Sequence, residues 1–157
     1  DPRGIHLDFR DTEPVRPTRL ERILYGSALD LYLREDVLLK NLMESVETRP
    51  TLWILRDREL LRSARKHAKV PAVCLEGTTA SPLDQAGLLE PQGDKHTFLF
   101  QADPISAPLR LSVTEDQLGQ IQKITADLMG AAEEMELLEP FSRMAKALES
   151  IREHEPL

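Results

Sequence analysis

The sequence predicts an α/β fold, and three observations carry that reading. TLWILRD (51–57), RELLRSARKHAK (58–69) and VPAVCLEG (70–77) read as strand, helix and strand with short joints. HTFLFQ and LRLSVT are two later β-rich runs, and residues 115–157 carry two amphipathic helical patterns. The expected architecture is a small, mainly parallel sheet built on a βαβ unit, extended by two further strands, with a C-terminal helical pair.

Taken in order, residues 1–17 mix charges with Pro2, Pro14 and Pro17 and show no sustained period, so an extended arm is expected. Thr18-Arg19-Leu20-Glu21 has capping-box spacing, Leu20, Ile23 and Leu24 follow at helical spacing, and Gly26 closes this short helix. Residues 27–47 support two readings. Leu29, Leu31 and Leu33 alternate with Asp30, Tyr32 and Arg34 as in a strand, while SALD followed by DVLLKNLMESVE also fits a helix. Pro50 separates this stretch from the βαβ unit, whose two strands read as buried on both faces.

GTTASP is a loop, SPLDQAGLLE a short helix with Ser81 as its cap and Pro82 at its first position, and PQGDK a turn. ADPISAP joins the two later strands and is too proline-rich for a tight hairpin. Thr114-Glu115-Asp116-Gln117 is a second capping box, opening a helix with Leu118, Ile121, Ile124, Leu128 and Met135. Pro140 interrupts it, and Phe141, Met144, Leu148 and Ile151 form the stripe of a final helix. The organisation is an arm (1–17) and one α/β domain (18–157), itself a βα core (18–114) and a helical pair (115–157).

Composition excludes several functions. At 157 residues the chain fits one domain, and 41% hydrophobic with 30% charged residues is ordinary for a globular protein. Aromatics at 4% leave few stacking platforms for single-stranded nucleic acid, and a net charge of −7 opposes a broadly basic surface. No apolar run approaches the roughly 20 residues of a membrane span, and DPRGIHLDFR has no signal-peptide pattern. A chain starting at Asp1 fits a processed protein or a piece of a larger one. Its single cysteine, Cys74, excludes an internal disulfide or Cys-rich metal site and suits a cytoplasmic or other reducing intracellular compartment.

LYLREDVLLK (31–40) and WILRDRELLR (53–62) align at an offset of 22 residues, matching Arg34 with Arg56, Glu35 with Asp57 and Leu38-Leu39 with Leu60-Leu61. A structural repeat would run βαβαβ from 29 to 76 and set Glu35, Asp57 and Glu76 at the carboxyl ends of parallel strands. Open α/β sheets bind ligands at that edge, where three acids could hold Mg²⁺ or Mn²⁺. Against this, any joint from strand to helix reads as an apolar run and then a charge, and helix dipoles favour an acid there anyway.

WILRDRELLRSARKHAKVPAV resembles the last strand-helix-strand of PIN-like ribonuclease domains, and the upstream REDVLL is similar to the acidic helix before it. The resemblance covers about residues 30–76. It implies Asp36 and Asp57 as catalytic, metal-binding acids with Glu35 as accessory, and RNA hydrolysis with a divalent metal. The family's first acid ends an N-terminal strand, for which only Asp8 or Asp11 stands here, and Arg56 sits where a small polar residue is usual. CLEGTTASPLDQAGLL is similar to the Glu-Gly strand end of Toprim domains, with Gln101 in place of a later acid.

Charge is divided along the chain. Residues 52–69 carry Arg56, Arg58, Arg62, Arg65, Lys66 and Lys69 for a net +4, whereas residues 115–157 carry −6. The six bases are candidates for gripping RNA phosphates or an acidic partner; alternatively they pair with the acidic C-terminal helices or face solvent. His6, His67, His96 and His154 have no nucleophile or ligand spacing, and Cys74 and Trp53 read as core. Thr78, Thr79 and Ser81 before the expected helix could meet an anion, without the lysine of a phosphate loop. With no complete catalytic set, the expected function is an intracellular docking domain that meets another protein through its C-terminal helices. The alternative is a PIN-like nuclease using Asp36 and Asp57, with Glu35 and Glu76 as further metal ligands.

Overall fold

The computed structural model describes residue 1 and residues 3–154; Pro2 of the expected arm and residues 155–157 lie outside the described residues. The described residues of the arm form no helix or strand. The first helix, α1 (Arg19–Tyr25), opens as expected: the Glu21 N–H donates to the Thr18 hydroxyl at 3.2 Å and the Thr18 N–H to the Glu21 carboxylate at 2.6 Å. Gly26 ends it at φ 53°, in the region glycine reaches without strain.

Residues 27–47 take the helical reading, so the βαβαβ repeat is not formed. Helix α2 (Leu29–Tyr32) continues through a π-wound segment (Leu33–Leu39) into α3 (Lys40–Ser45). Leu29, Leu33 and Val37 recur four residues apart, as do Leu39 and Met43, which turns Leu29 inward and leaves Leu31 exposed. Alternation at 29, 31 and 33 is thus a by-product of a leucine-rich helix.

The βαβ unit forms as expected. Strand β1 (Trp53–Leu55) runs parallel to β2 (Ala72–Glu76), bridged by a 3₁₀ turn (Arg58–Leu60) and α4 (Leu61–His67). The rest of the sheet corrects the expectation of mainly parallel strands. Three further strands, not two, follow as β3 (Leu89–Pro91), β4 (Thr97–Phe100) and β5 (Leu109–Ser112), giving the order β1-β2-β5-β4-β3 with every later neighbour antiparallel. Parallel crossovers need roughly a dozen residues. The links 92–96 and 101–108 are shorter than that and permit only antiparallel returns.

Strand β3 lies where the end of a helix was expected. The Leu83 N–H, needed near a helix start, donates instead to the Gln101 side chain at 2.7 Å, and Gly87 (φ 87°) donates its N–H to the Gln101 carbonyl at 2.7 Å. These two bonds draw residues 83–88 onto the end of β4, in place of a helix capped by Ser81.

Two apolar clusters flank the sheet. Val73, Leu75, Phe100, Leu111 and Val113 meet Ile124 and Leu128 of α5 (Ile121–Ala132), and Leu137 closes the cluster. On the opposite face Ala72 and Cys74 meet Leu61 and Ala64 of α4, with Leu39, Met43, Trp53 and Leu55 at the margin. Central β2 is therefore buried on both faces, while β1 is a half-buried edge strand. Helix α5 ends before Met135, and α6 (Glu139–His154) takes Pro140 in its first turn, where a missing N–H costs nothing. Among the described residues no helix is long and apolar enough to cross a membrane.

Gln117 fastens α5 to the sheet. Its side-chain oxygen accepts the Ala72 N–H at 2.8 Å, and its nitrogen donates to the Ala72 carbonyl at 2.8 Å and the Thr114 hydroxyl at 2.8 Å. The expected capping box at 114–117 is replaced by this bond set. Gln117→Leu strands both backbone groups of Ala72 in the core at about 1–3 kcal/mol each, so chemical denaturation should show about 3 kcal/mol lost. A loss below about 1 kcal/mol would show that the clamp carries little of the fold.

Candidate functional site

The parallel β1–β2 pair does bring two of the proposed acids to one edge. Asp57 follows β1 and Glu76 ends β2, and both line a shallow depression with Arg56, Arg58 and Glu59. Asp57 is already engaged. One oxygen accepts the Glu59 N–H at 3.0 Å and the other meets Arg34 at 2.6 Å. Arg34 also reaches Glu59 at 3.1 Å, and Glu59, followed by Asp57, holds its guanidinium more firmly protonated than usual. Glu76 lies 3.6 Å from Arg110. Glu35 and Asp36 sit on the π-wound segment rather than at a strand end, and neither lines the depression. Among the described residues, no three or more His, Cys, Asp or Glu side chains are grouped to hold a metal ion. The proposed set of Glu35, Asp36, Asp57 and Glu76 thus does not assemble as one ligand cage.

The six bases divide among three places. Arg56 stays at the strand-end depression, and Lys69 lies on the far side beside Trp53 and His67. Arg58, Arg62, Arg65 and Lys66 line a groove of about 1050 Å³ between α4 and the β5–β4 face. Two of the four are held in place. Arg58 donates to Thr97 at 3.0 Å and Asp94 at 3.2 Å; Arg65 donates to Asp116 at 2.9 Å and the Ala68 carbonyl at 3.2 Å. Arg62 and Lys66 make no ion pair among the described residues and stand exposed. The Asp94 carboxyl is held below its ordinary range, first by the His96 N–H, and that of Asp116 first by the Thr114 hydroxyl.

The floor of this groove went unread in the sequence. On the sheet side the groove is lined by Ser112 of β5 and by His96 in the turn before β4, and Ser112 is 1% exposed with an oxygen that has no hydrogen-bond partner. Nδ1 of His96 is likewise buried and unpartnered. The signal was the alternation in LRLSVT, which sets Ser112 opposite in direction to Leu111 and Val113. Thr78, Thr79 and Ser81 have no helix behind them; the Thr78 hydroxyl instead donates to the Pro108 carbonyl at 2.5 Å.

A second surface is apolar. Helix α6 leaves Met144 (40%), Leu148 (49%) and Ile151 (37%) exposed, and α1 does the same with Leu20, Ile23 and Leu24. Beside α6 the arm forms one wall of a groove of about 540 Å³, in which Ile5 and Phe9 face Met135, Pro140, Met144 and Ala147. The arm is tethered through Asp8, which accepts the Glu47 N–H at 3.2 Å and pairs with Arg10 at 3.0 Å. That backbone bond is the main reason the Asp8 carboxyl lies below its ordinary range.

Comparison with known proteins adds nothing to this geometry: no family model, curated protein or solved structure matches the chain.

Cys74 is core, as its strand pattern implied. It is buried and unpaired, and burial, followed by Glu76 and Asp57, pushes its thiol up to about 11. Only the thiolate attacks a disulfide reagent. At pH 8 the folded chain should therefore react far more slowly than the urea-unfolded chain, by stopped-flow labelling; equal rates would place Cys74 at the surface.

Proposed function

We propose that this chain is a docking domain whose main contact surface is the apolar side of α6 with the groove beside the arm. The observation that supports it most is the contrast between the two C-terminal helices. Helix α5 buries Ile124 and Leu128 against the sheet, whereas α6 repeats the same kind of stripe and leaves Met144, Leu148 and Ile151 open to solvent. Contiguous apolar surface of this kind marks sites of protein contact, and an i, i+4, i+7 stripe suits an apolar segment laid along it. The buried, reduced cysteine fits a cytoplasmic or other intracellular setting.

A photoreactive amino acid at Leu148 of the full chain should form one discrete cross-linked adduct in its native cell, and the same probe at exposed Ala126 of α5 should form none. Leu148→Asp should abolish adducts from a probe at Met144 while shifting stability by no more than about 0.5 kcal/mol, as surface changes do. The absence of any adduct from α6 would defeat the reading, and an adduct of two such chains would make a second copy the occupant.

The nuclease reading has one observation of its own, the joint placement of Asp57 and Glu76 among Arg56 and Arg58 at the strand ends. A resident metal stabilises the fold it binds. On that reading Mn²⁺ raises the melting temperature and Asp57→Asn removes the rise. We expect no rise, because Arg34 and the Glu59 N–H already occupy the Asp57 carboxylate.

A further inference from the structure

We infer that the groove between α4 and the β5–β4 face is a receptor for a phosphoryl dianion, as carried by a phosphate monoester on a partner chain. The site is separate from the α6 surface and does not rest on the docking reading.

Donors converge there from two sides. From α4 and the turn before it come Arg58, Arg62, Arg65 and Lys66, all of them cationic and donor-only. From the opposite side come Ser112 of β5 and His96 of the turn before β4. The hydroxyl of Ser112 is unpartnered in a residue that is 1% exposed, and Nδ1 of His96 is buried without a partner. A buried polar atom is expensive to leave unpaired, and a phosphoryl oxygen accepts a bond from either group. The Arg58 and Arg65 guanidiniums are pre-set by Thr97 and Asp116, so part of the side-chain entropy of binding is already spent. Arg62 and Lys66 are free, among the described residues, to close over the ligand.

The acids around the groove restrict what fits. Glu115 and Asp116 line one end, and Asp94 stands beside Arg58. They would repel the neighbouring phosphates of a polynucleotide, no phenylalanine, tyrosine or tryptophan among the described residues lines the groove for base stacking, and the chain carries −7 overall. A single compact dianion meets fewer of those carboxylates than a run of phosphates would, and Asp94 and Asp116 are already paired with Arg58 and Arg65. Arg and phosphate pair by charge-assisted bonds, among the strongest available to a side chain.

The test is a ¹⁵N-resolved NMR titration of the full chain with inorganic phosphate, a blocked tripeptide centred on phosphoserine, and a twelve-nucleotide single-stranded RNA. Saturable shifts at His96, Ser112, Val113 and the α4 amides are expected with the first two. Tighter binding of the peptide assigns a phosphorylated partner; equal binding assigns free phosphate, with the dianion site intact. Arg62→Glu combined with Lys66→Glu, both exposed, should weaken binding at least about tenfold. Ser112→Ala should weaken it too, while its thermal melt holds or rises because an unpaired hydroxyl is gone. The proposal is overturned if phosphate and phosphopeptide both fail to saturate, if the charge-reversed variant binds as well as the parent, or if only the RNA moves these amides.

Discussion

A strand flanked on both sides within a sheet must keep its backbone groups paired along its whole length, and β2 runs on after β5 has left it. Antiparallel register sets Cys74 against Ser112, so Ala72 would face Thr114, where the chain is already turning into the next helix. The Gln117 amide fills that gap, offering one acceptor and one donor to Ala72 as a neighbouring strand would. Gln101 plays the matching part at the end of β4. It accepts from Leu83 and donates to the carbonyls of Asp103 at 2.6 Å and Ser106 at 2.7 Å, tying two long loops to the sheet. Both side chains are fully buried and fully used. An acid at either position would lack the donor, and an apolar residue would leave backbone orphaned in the core.

With its ends sealed by amides, the sheet can be covered unevenly. One face is closed by α5 and Leu137. The other is closed only over β1 and β2, because α4 is a single short helix linking those two strands. On β4 and β5 the second face carries Thr97, Leu99, Arg110 and Ser112, so beyond the reach of α4 it is mainly polar and lacks a continuous run of leucine and valine. The polar groove therefore follows directly from the topology. One crossover helix cannot span five strands, and the antiparallel returns bring no further helices to that side.

The sequence disclosed most where two signals agreed. The βαβ unit was legible because valine-rich runs, short joints and an alanine-leucine helix face all pointed the same way, and the arm, the α1 capping box and the final helix were legible for similar reasons. It left 29–39 open between strand and helix, because leucine occupies nearly every apolar position and supports a period of 2 as readily as 3.6. The choice fell to tertiary contacts of Leu29, Leu39 and Met43. It misled at 81–90, because a helix start and a strand approach differ only in whether the Leu83 N–H finds its partner within the segment or eighteen residues away at Gln101. Of the candidate site, the bases were plain and their division was not. Arg56, Lys66 and Lys69 look equivalent along the chain, yet strand end, groove and far side separate them. Ser112 and His96 carry no motif, and only the fold makes them a floor.

The two C-terminal helices show why burial cannot be assigned from amphipathicity alone. Both carry stripes at helical spacing, so pattern gives each the same claim on the core. Helix α5 begins a few residues after β5 and is fixed at its approach by Gln117, which delivers Ile124 and Leu128 onto Val73 and Leu111. By the time the chain reaches α6, Leu137 has closed that face, and among the described residues it is the irregular arm that covers part of the stripe. Met144, Leu148 and Ile151 of α6 are thus apolar side chains with a period but no remaining layer to join. Their spacing is retained on a helix of sixteen residues whose burial contributes little to this fold, which leaves an apolar face open to solvent.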